Sequence, residues 1–310
     1  MSPEAEAIAP NCSWVDATKV SSAERQGVRD KQILITGASS GIGLAAALAL
    51  AGSGANVAIV GRNEARTKSA AAQIQARAGH NAGVTSFVAD LSAQAAVAKL
   101  ATEVLRRHPR IDVLVNNAGA MHTTRQLTGD GIELTWAVNH LAPFLLTGLI
   151  LDRLKAQAPS RIITTASDAH HGATIPFDDL DAEKAYQGFA RYKQSKLANI
   201  LFTRELARRL EGSDTVCSCF HPGLVASGFN RNNGPWMSLA MTMLRPVARS
   251  VEKGAETLVW LASTAKVNGL HGGYFVDMER RQPSPQALDP QTARRLWEAS
   301  ERQCGRHWPR

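Results

Sequence analysis

The sequence predicts an α/β fold built on a doubly wound, mostly parallel sheet of seven strands with helices on both faces. Short apolar runs rich in β-branched residues alternate with longer stretches of helix formers from residue 33 onward. The first run, Ile33-Leu34-Ile35, opens into a turn with three glycines and then into Leu44-Ala45-Ala46-Ala47-Leu48-Ala49-Leu50. No proline-rich or Gly/Ser linker and no internal repeat divides the rest of the chain, so a single domain is expected over 31–310. Strands alternating with helices pair in parallel, because right-handed crossovers lay the helices on the two sheet faces.

Residues 1–30 are polar and aperiodic apart from Trp14-Val15, and read as an N-terminal arm whose later part folds onto the domain. The strand at 33–35 has no polar interruption, which suits burial on both faces. The second strand is expected at 56–60, with a helix over 64–78. The third lies at 84–88, followed by a helix over 92–107 with Ser92 as its cap. The fourth strand is at 111–115. A long helix over 131–156 contains Pro143, which should kink or break it. Strands at 161–165, 216–220 and 274–276 and a second long helix over 190–210 complete the pattern.

Hydrophobic residues make up 44% of the chain and charged residues 20%, enough for a substantial core. The formal charge of +8 comes from scattered basic residues such as Arg106-Arg107, Arg191, Arg208-Arg209 and Arg280-Arg281. No basic run interleaves with aromatics, so no nucleic-acid partner is expected. Four cysteines, Cys12, Cys217, Cys219 and Cys304, make no disulfide framework in a chain of 310 residues. Cys217 and Cys219 share one face of a strand and should pack as small hydrophobes. The acidic N-terminus lacks the apolar core of a signal peptide, and no window reaches about 18 uninterrupted apolar residues. A cytoplasmic protein with no membrane span is the expectation. His122, His140, His170-His171 and His221 show no i, i+4 ligand spacing, so no metal is expected.

The glycine turn carries the first chemical signal. Glycines let a backbone approach a ligand, and free N–H groups at a helix start point at negative charge, which is how a pyrophosphate is received. Gly37, Ser39, Ser40, Gly41, Ile42 and Gly43 are the candidate contacts. Gly37-Ala38-Ser39-Ser40-Gly41 also satisfies G-x-S-x-G, the nucleophile elbow of hydrolases, but an elbow should follow several strands and this turn follows the first. At the end of the second strand an acid would hydrogen-bond a ribose 2′-hydroxyl; here stand Gly61 and Arg62. A neutral residue beside a guanidinium suits a 2′-phosphate, so NADP(H) is preferred with NAD(H) admissible. A solvated helix-start charge is the other reading of Arg62.

Tyr192-Lys193-Gln194-Ser195-Lys196 is the second signal. On a helix, Tyr192 and Lys196 share one face. A phenol titrates near pH ~10, and an adjacent ammonium should lower that value. Tyr192 would then donate a proton to a carbonyl being reduced or take one from an alcohol being oxidised. The spacing alone also occurs on helices without function.

Thr36-Gly37-Ala38-Ser39-Ser40-Gly41-Ile42-Gly43 resembles the cofactor turn of the short-chain dehydrogenase/reductase family, whose sheet is of the Rossmann type. Asp90-Leu91 is similar to that family's adenine-binding pair, and Asn116-Asn117-Ala118-Gly119 to its Asn-Asn-Ala-Gly signature. Pro222-Gly223 with Val225-Ala226-Ser227 resembles its nicotinamide-facing turn, Ser227 standing where a threonine is common. Asn139, Ser167, Tyr192 and Lys196 resemble its catalytic tetrad in order. The resemblance implies hydride transfer between nicotinamide C4 and a carbonyl carbon. Tyr192 would move the proton, Ser167 hold the substrate oxygen, Lys196 bind the nicotinamide ribose, and the Asn139 carbonyl hold a water against the lysine. Ala166 stands where the family often has a further serine.

Val138-Asn139-His140-Leu141, Ser195-Lys196-Leu197-Ala198-Asn199 and Phe202-Thr203-Arg204-Glu205-Leu206 resemble the retinol dehydrogenase-like branch, whose membrane-bound members carry an N-terminal apolar anchor that residues 1–30 lack. Substrate identity is expected in two segments. One is the insert between Ser167 and Tyr192, with Ile175, Phe177, Tyr186 and Phe189. The other is a loop over about 224–250, with Phe229, Trp236 and Met237. Such apolar segments read as a lid over a small apolar ketone, aldehyde or secondary alcohol, or as core or a contact between copies in a homo-oligomer. A regulatory or scaffold protein that binds NADP without turnover is the alternative function; an intact tetrad favours the enzyme.

Overall fold

The computed structural model describes residues 27–78, 82–225, 248–266 and 269–308. Among them, β1 (Gln32–Thr36), β2 (Asn56–Gly61), β3 (Val84–Val88), β4 (Val113–Asn116), β5 (Ser160–Thr165), β6 (Thr215–His221), β7 (Gly273–Val276) and β8 (Glu279–Arg281) form one sheet. Its order is β3-β2-β1-β4-β5-β6-β7-β8, parallel throughout except for the antiparallel β7–β8 pair. The sheet therefore has eight strands rather than the expected seven. Glu279-Arg280-Arg281 is exposed and holds no apolar residue, so nothing in its composition announces a strand.

The helices are α1 (Gly41–Gly52), α2 (Glu64–Ala78), α3 (Gln94–Arg107), α4 (Leu134–Trp136), α5 (Ala142–Ala156), α6 (Gly188–Arg209), α7 (Val251–Ser263), α8 (Pro285–Leu288) and α9 (Pro290–Cys304). They cover both faces of the sheet, and each face has its own core. Ile33 and Ile35 of β1 join Val113 and Val115 of β4 in the core beneath α1, α2 and α7. Leu34 and Leu114, pointing the other way, join the core beneath α3, α5, α6 and α9. Alternate residues of one strand serving opposite cores is why these runs are apolar without interruption.

Two helix starts differ from expectation. α3 begins at Gln94 behind Ala93, not at Ser92, because Ser92 turns back to Asp90 (N–H to Oδ1 3.0 Å, Oγ to Oδ1 2.8 Å). The long helix over 131–156 is α4, then a π-helical turn at Ala137–Leu141, then α5. Pro143 lies in the first turn of α5, two residues beyond the end of the π-turn, so the break falls directly before the proline. The stretch Leu134–Ala156 is long and apolar enough to cross a membrane by composition alone, with a mean hydropathy of 1.5, but 72% of it is buried against the sheet and its neighbours.

Val28 is buried, and the Asp30 N–H donates to Gly54 O at 3.0 Å, so the end of the arm packs onto the domain. At the other end α9 lies along α6, with Trp297 stacked on Phe202 at 5.9 Å and Trp308 against Phe144 at 4.4 Å. Cys217, Cys219 and Cys304 are free, buried thiols.

Candidate active site

Strand order reverses between β1 and β4, and at such a point the carboxyl ends of the strands splay into a ligand-binding crevice. At the end of β1, Gly37 has a φ of +68°, and a Cβ there would lie 2.7 Å from Ala118 Cα. On Gly43 a Cβ would lie 2.5 Å from Gly37 O and 2.6 Å from Asn117 Nδ2. Only glycines allow this approach. Asn117 then laces the two loops together, its Nδ2 donating to Thr36 O at 3.0 Å and Gly37 O at 3.2 Å. The N–H groups of Asn117 and Ala118 donate to Thr36 Oγ1 at 3.0 and 3.1 Å, with half-buried Gly119 next in the chain. Ser40 is the N-cap of α1, its side chain makes no capping bond, and the first turn, which contains Ile42, holds no acid. The positive end of α1 behind Ser39, Ser40 and Gly41 is thus uncontested, a cradle that fits a pyrophosphate.

β2 ends at Gly61, where a Cβ would overlap Thr67 Oγ1 and come within 3.0 Å of Ser39 Cβ. An acid for a ribose hydroxyl has no room at this position. Arg62 is exposed. His122 is held below the ordinary imidazole range chiefly by burial, with Glu133 opposing and Arg62 adding to the depression. Asp90 is exposed beyond β3, and Leu91 packs half-buried on the core.

β5 leads through Ala166 to Ser167, which caps a short 3-10 turn, Asp168–His170, by accepting from Ala169 N–H at 3.2 Å. The Ser167 hydroxyl lies beside the Tyr192 phenol and eases its ionisation. Lys196 Nζ lies 5.5 Å from the centre of the Tyr192 ring and donates to Thr165 O at 3.0 Å. Asn139 is fully buried in the π-turn, a geometry that recurs at functional sites. Its side chain clasps the Ala120 backbone (Nδ2 to O 2.8 Å, N–H to Oδ1 2.7 Å) and donates to Ser195 Oγ at 2.9 Å. Ser195 Oγ in turn donates to Tyr192 O at 2.7 Å. Asn139, Ser167, Tyr192 and Lys196 are brought together.

One electrostatic expectation is corrected. Burial pushes the Tyr192 phenol up to about 12, the Ser167 hydroxyl only partly offsetting it. Burial pulls Lys196 down to about 8. With the ammonium bonded to Thr165 O, desolvation governs the phenol and the lysine does not lower it. Tyr192 is consequently a neutral phenol at pH 7, the form that donates a proton.

After β6, Pro222 is half-buried, and Gly223 lies so close to Arg249 that a Cβ would stand 2.7 Å from Arg249 Cδ. Val225 is buried and bridges to Arg249, whose Nη2 donates to Asp277 Oδ2 at 2.9 Å. Ser227, Phe229, Trp236 and Met237 lie outside the described residues. Two aromatics of the insert are engaged elsewhere. Phe177 lies under Arg295 of α9, 4.1 Å from the guanidinium carbon, and Tyr186 donates to His122 O at 2.8 Å. Phe189 is exposed and stacks on Tyr192, with ring centres 6.5 Å apart. Ligand atoms of Asp168, His170 and His171 lie within 4.8 Å of one another. The His170 ring is committed at both nitrogens, Nδ1 to Ser167 O at 2.7 Å and Nε2 from Ser284 N–H at 3.0 Å. Sequence reasoning missed Thr36, whose hydroxyl joins the two cofactor loops, and the buried pair Glu133–Arg191. Thr36 opens the glycine turn but its hydroxyl's role shows only in the fold, and the Glu133–Arg191 pair carries no local motif.

The sequence model of the family described as short chain dehydrogenase matches residues 31–238. The chain belongs to that family. This short-chain dehydrogenase is an oxidoreductase of a family that uses NAD or NADP, and the glycine cradle fits such a cofactor. It is 40% identical over 290 residues to retinol dehydrogenase 14 of Homo sapiens, a match covering 89% of this chain and 86% of that one. Among solved structures, an uncharacterised protein from Mycobacterium paratuberculosis superposes with a TM-score of 0.74 at 30% identity, covering 92% of this chain and 97% of the other. A short chain dehydrogenase from Burkholderia cenocepacia J2315, solved in complex with NADP, gives 0.65 at 26% identity, covering 80% and 96%.

Proposed function

We propose that this short-chain dehydrogenase is NADP(H)-dependent and moves a hydride between the nicotinamide and the carbonyl or alcohol carbon of an apolar ketone, aldehyde or secondary alcohol. The observation that carries the chemistry is the buried Lys196 ammonium 5.5 Å from the centre of the Tyr192 ring, one turn along α6, with Ser167 beside the phenol. The bound dinucleotide supplies or accepts the hydride. Tyr192 gives its proton to the oxygen being reduced, and Ser167 holds that oxygen in line. Lys196 binds the nicotinamide ribose and, with the Asn139 carbonyl, passes a proton from solvent to Tyr192. Gly37 to Gly43 cradle the pyrophosphate, Asp90 and Leu91 take the adenine, and Asn117, Ala118 and Gly119 line the ribose. Pro222, Gly223, Val225 and Ser227 take the nicotinamide end.

The NADP(H) preference is supported by the closed position at Gly61 and the exposed guanidinium of Arg62. Arg62→Ala should weaken NADPH binding by about 10–100-fold, the worth of charge-assisted hydrogen bonds to a phosphate. NADH binding should be unchanged; equal losses for both cofactors, read by fluorescence titration, would refute the preference. The apolar class is supported by the exposed side chains of Phe189 and Leu224 and by the similarity to a retinol dehydrogenase. NADPH oxidation at 340 nm against a panel of apolar and polar carbonyls tests it. Cofactor binding without turnover of any member would favour the regulatory or scaffold reading. Reduction should also slow as pH rises through about 8, where Lys196 gives up its charge. A flat kcat from pH 7 to 9 would remove that charge from the step. The free buried thiols support a cytoplasmic location, a compartment that keeps thiols reduced.

A further inference from the structure

Glu133 and Arg191 form an ion pair that takes no part in the hydride or proton transfers. Both side chains are 0% exposed, and Arg191 Nε donates to Glu133 Oε2 at 2.8 Å. Desolvating two charges consumes much of what their attraction returns, so such a pair is weak evidence for stability. Its surroundings give it another use.

Glu133 caps α4, accepting from the N–H groups of Thr135 at 2.9 Å and Trp136 at 2.8 Å. It thereby fixes the start of the segment that carries Asn139. Arg191 reaches Gln194 Oε1 at 3.3 Å and the Leu180 carbonyl, and its guanidinium carbon lies 4.5 Å over the Trp136 ring. Arg191 and Ser195 stand one turn apart on α6, and Ser195 is held by Asn139 at 2.9 Å. The same face of α6 is therefore pinned twice to the segment running from Glu133 to Asn139. Tyr192 and Lys196 follow these two residues by one position on the same two turns. The rotation of α6 that the braces fix is the rotation that aims the phenol at Ser167. The Glu133 N–H donates to Asp181 Oδ1 at 3.2 Å, so the chain leading into α6 is tied to the same pair.

We infer that Glu133 and Arg191 are positioning residues: their ion pair sets the rotation of α6 that places the Tyr192 hydroxyl on Ser167. The inference rests on the reading of Tyr192 as the proton donor. The test is the double variant Arg191→Met/Glu133→Gln in the full chain. It removes both buried charges while leaving one amide oxygen to accept from an α4 N–H group and a methionine under Trp136.

With NADPH and decanal, the double variant should lose about 10–100-fold in kcat, since a displacement of about 1 Å can cost that much. Its NADPH Kd should stay within about twofold and its Tm near that of the wild type. Labelling the three tyrosines with 3-fluorotyrosine gives a second readout, the Tyr192 19F resonance being assigned by its loss in Tyr192→Phe. That resonance should shift or broaden in the double variant while that of Tyr274 stays sharp and in place; Tyr186, whose hydroxyl donates to Glu133 Oε1 at 3.2 Å, responds to the change directly and is not the reference. A folded double variant with kcat within threefold of wild type, or with an unmoved Tyr192 resonance, overturns the inference. Arg191→Lys, which keeps the charge but cannot reach Glu133, Leu180 O and Gln194 together, carries the same two readouts should the double variant not fold. Unchanged turnover in Tyr192→Phe would defeat the proton-donor reading instead, and the fluorine resonance still reports whether the pair places the ring.

Discussion

Replacing Tyr192 with phenylalanine is expected to lower kcat by about 10²–10⁴, the usual worth of a positioned general acid. The change deletes one oxygen and keeps the ring that stacks on Phe189. Ser167 retains its bond from the Ala169 N–H, and Lys196 retains the Thr165 carbonyl, so neither neighbour is left stranded. The cradle of Gly37, Gly43 and Asn117 hangs on bonds to Thr36 and Gly37, not on α6. Cofactor affinity should therefore survive while turnover collapses, and a fluorescence titration beside single-turnover NADPH oxidation separates the two. A phenylalanine variant with near-normal kcat would take Tyr192 out of the reaction. A variant that bound neither cofactor nor substrate would show the hydroxyl to act in binding rather than in proton transfer.

Acid is expected to destabilise the wild type more steeply than a His140→Leu variant. His140 is fully buried among Trp136, Phe144 and Phe202, with ring centres 4.7, 6.3 and 6.4 Å away. Its Nε2 meets Ser300 Oγ at 2.8 Å, and its Nδ1 has no partner among the described residues. Burial holds the imidazole down to about 3, with the Arg191 charge adding to the depression and neighbouring Asn199 opposing it. Below pH ~6.5 the unfolded chain takes up a proton that the folded chain refuses, so stability falls as pH drops, and the fall levels off below about 3. By pH 4 this one group accounts for about 3 kcal/mol. Leucine removes the titration, and Ser300 keeps its bond to Leu296 O at 2.8 Å. Urea unfolding at pH 7 and pH 4 reads the difference between the chains, since carboxylates titrate alike in both. Equal losses on acidification would mean that His140 protonates inside the folded protein.

The sheet was legible because its central strands are buried on both faces, which leaves unbroken apolar runs such as Ile33-Leu34-Ile35. β8 was not, since an edge strand of Glu279-Arg280-Arg281 takes its conformation from pairing with Tyr274–Val276 and not from its own side chains. The π-turn was hidden for a related reason. Pro143 marked the right helix and the break lies directly before it, but nothing in the composition of Ala137–Leu141 says that the break is a π-turn. The glycine turn and the Tyr192–Lys196 pair could be read because each is complete within one turn of chain. Glu133 and Arg191 could not, being 58 positions apart. The sign of the Tyr192 shift was misread because spacing shows which charge is near, whereas burial, which governs here, is a property of the whole fold.

The five residues Ala137–Leu141 wind more loosely than the helices on either side of them, so this stretch holds more chain than an α-helix of the same rise. Losing one of them would let the stretch close into an ordinary α-helix of nearly the same rise, with Phe144, Leu145 and Leu146 kept near their places in the core. What would go is the widened turn that seats Asn139 against Ala120 and Ser195. The extra residue thus serves the site and not the core.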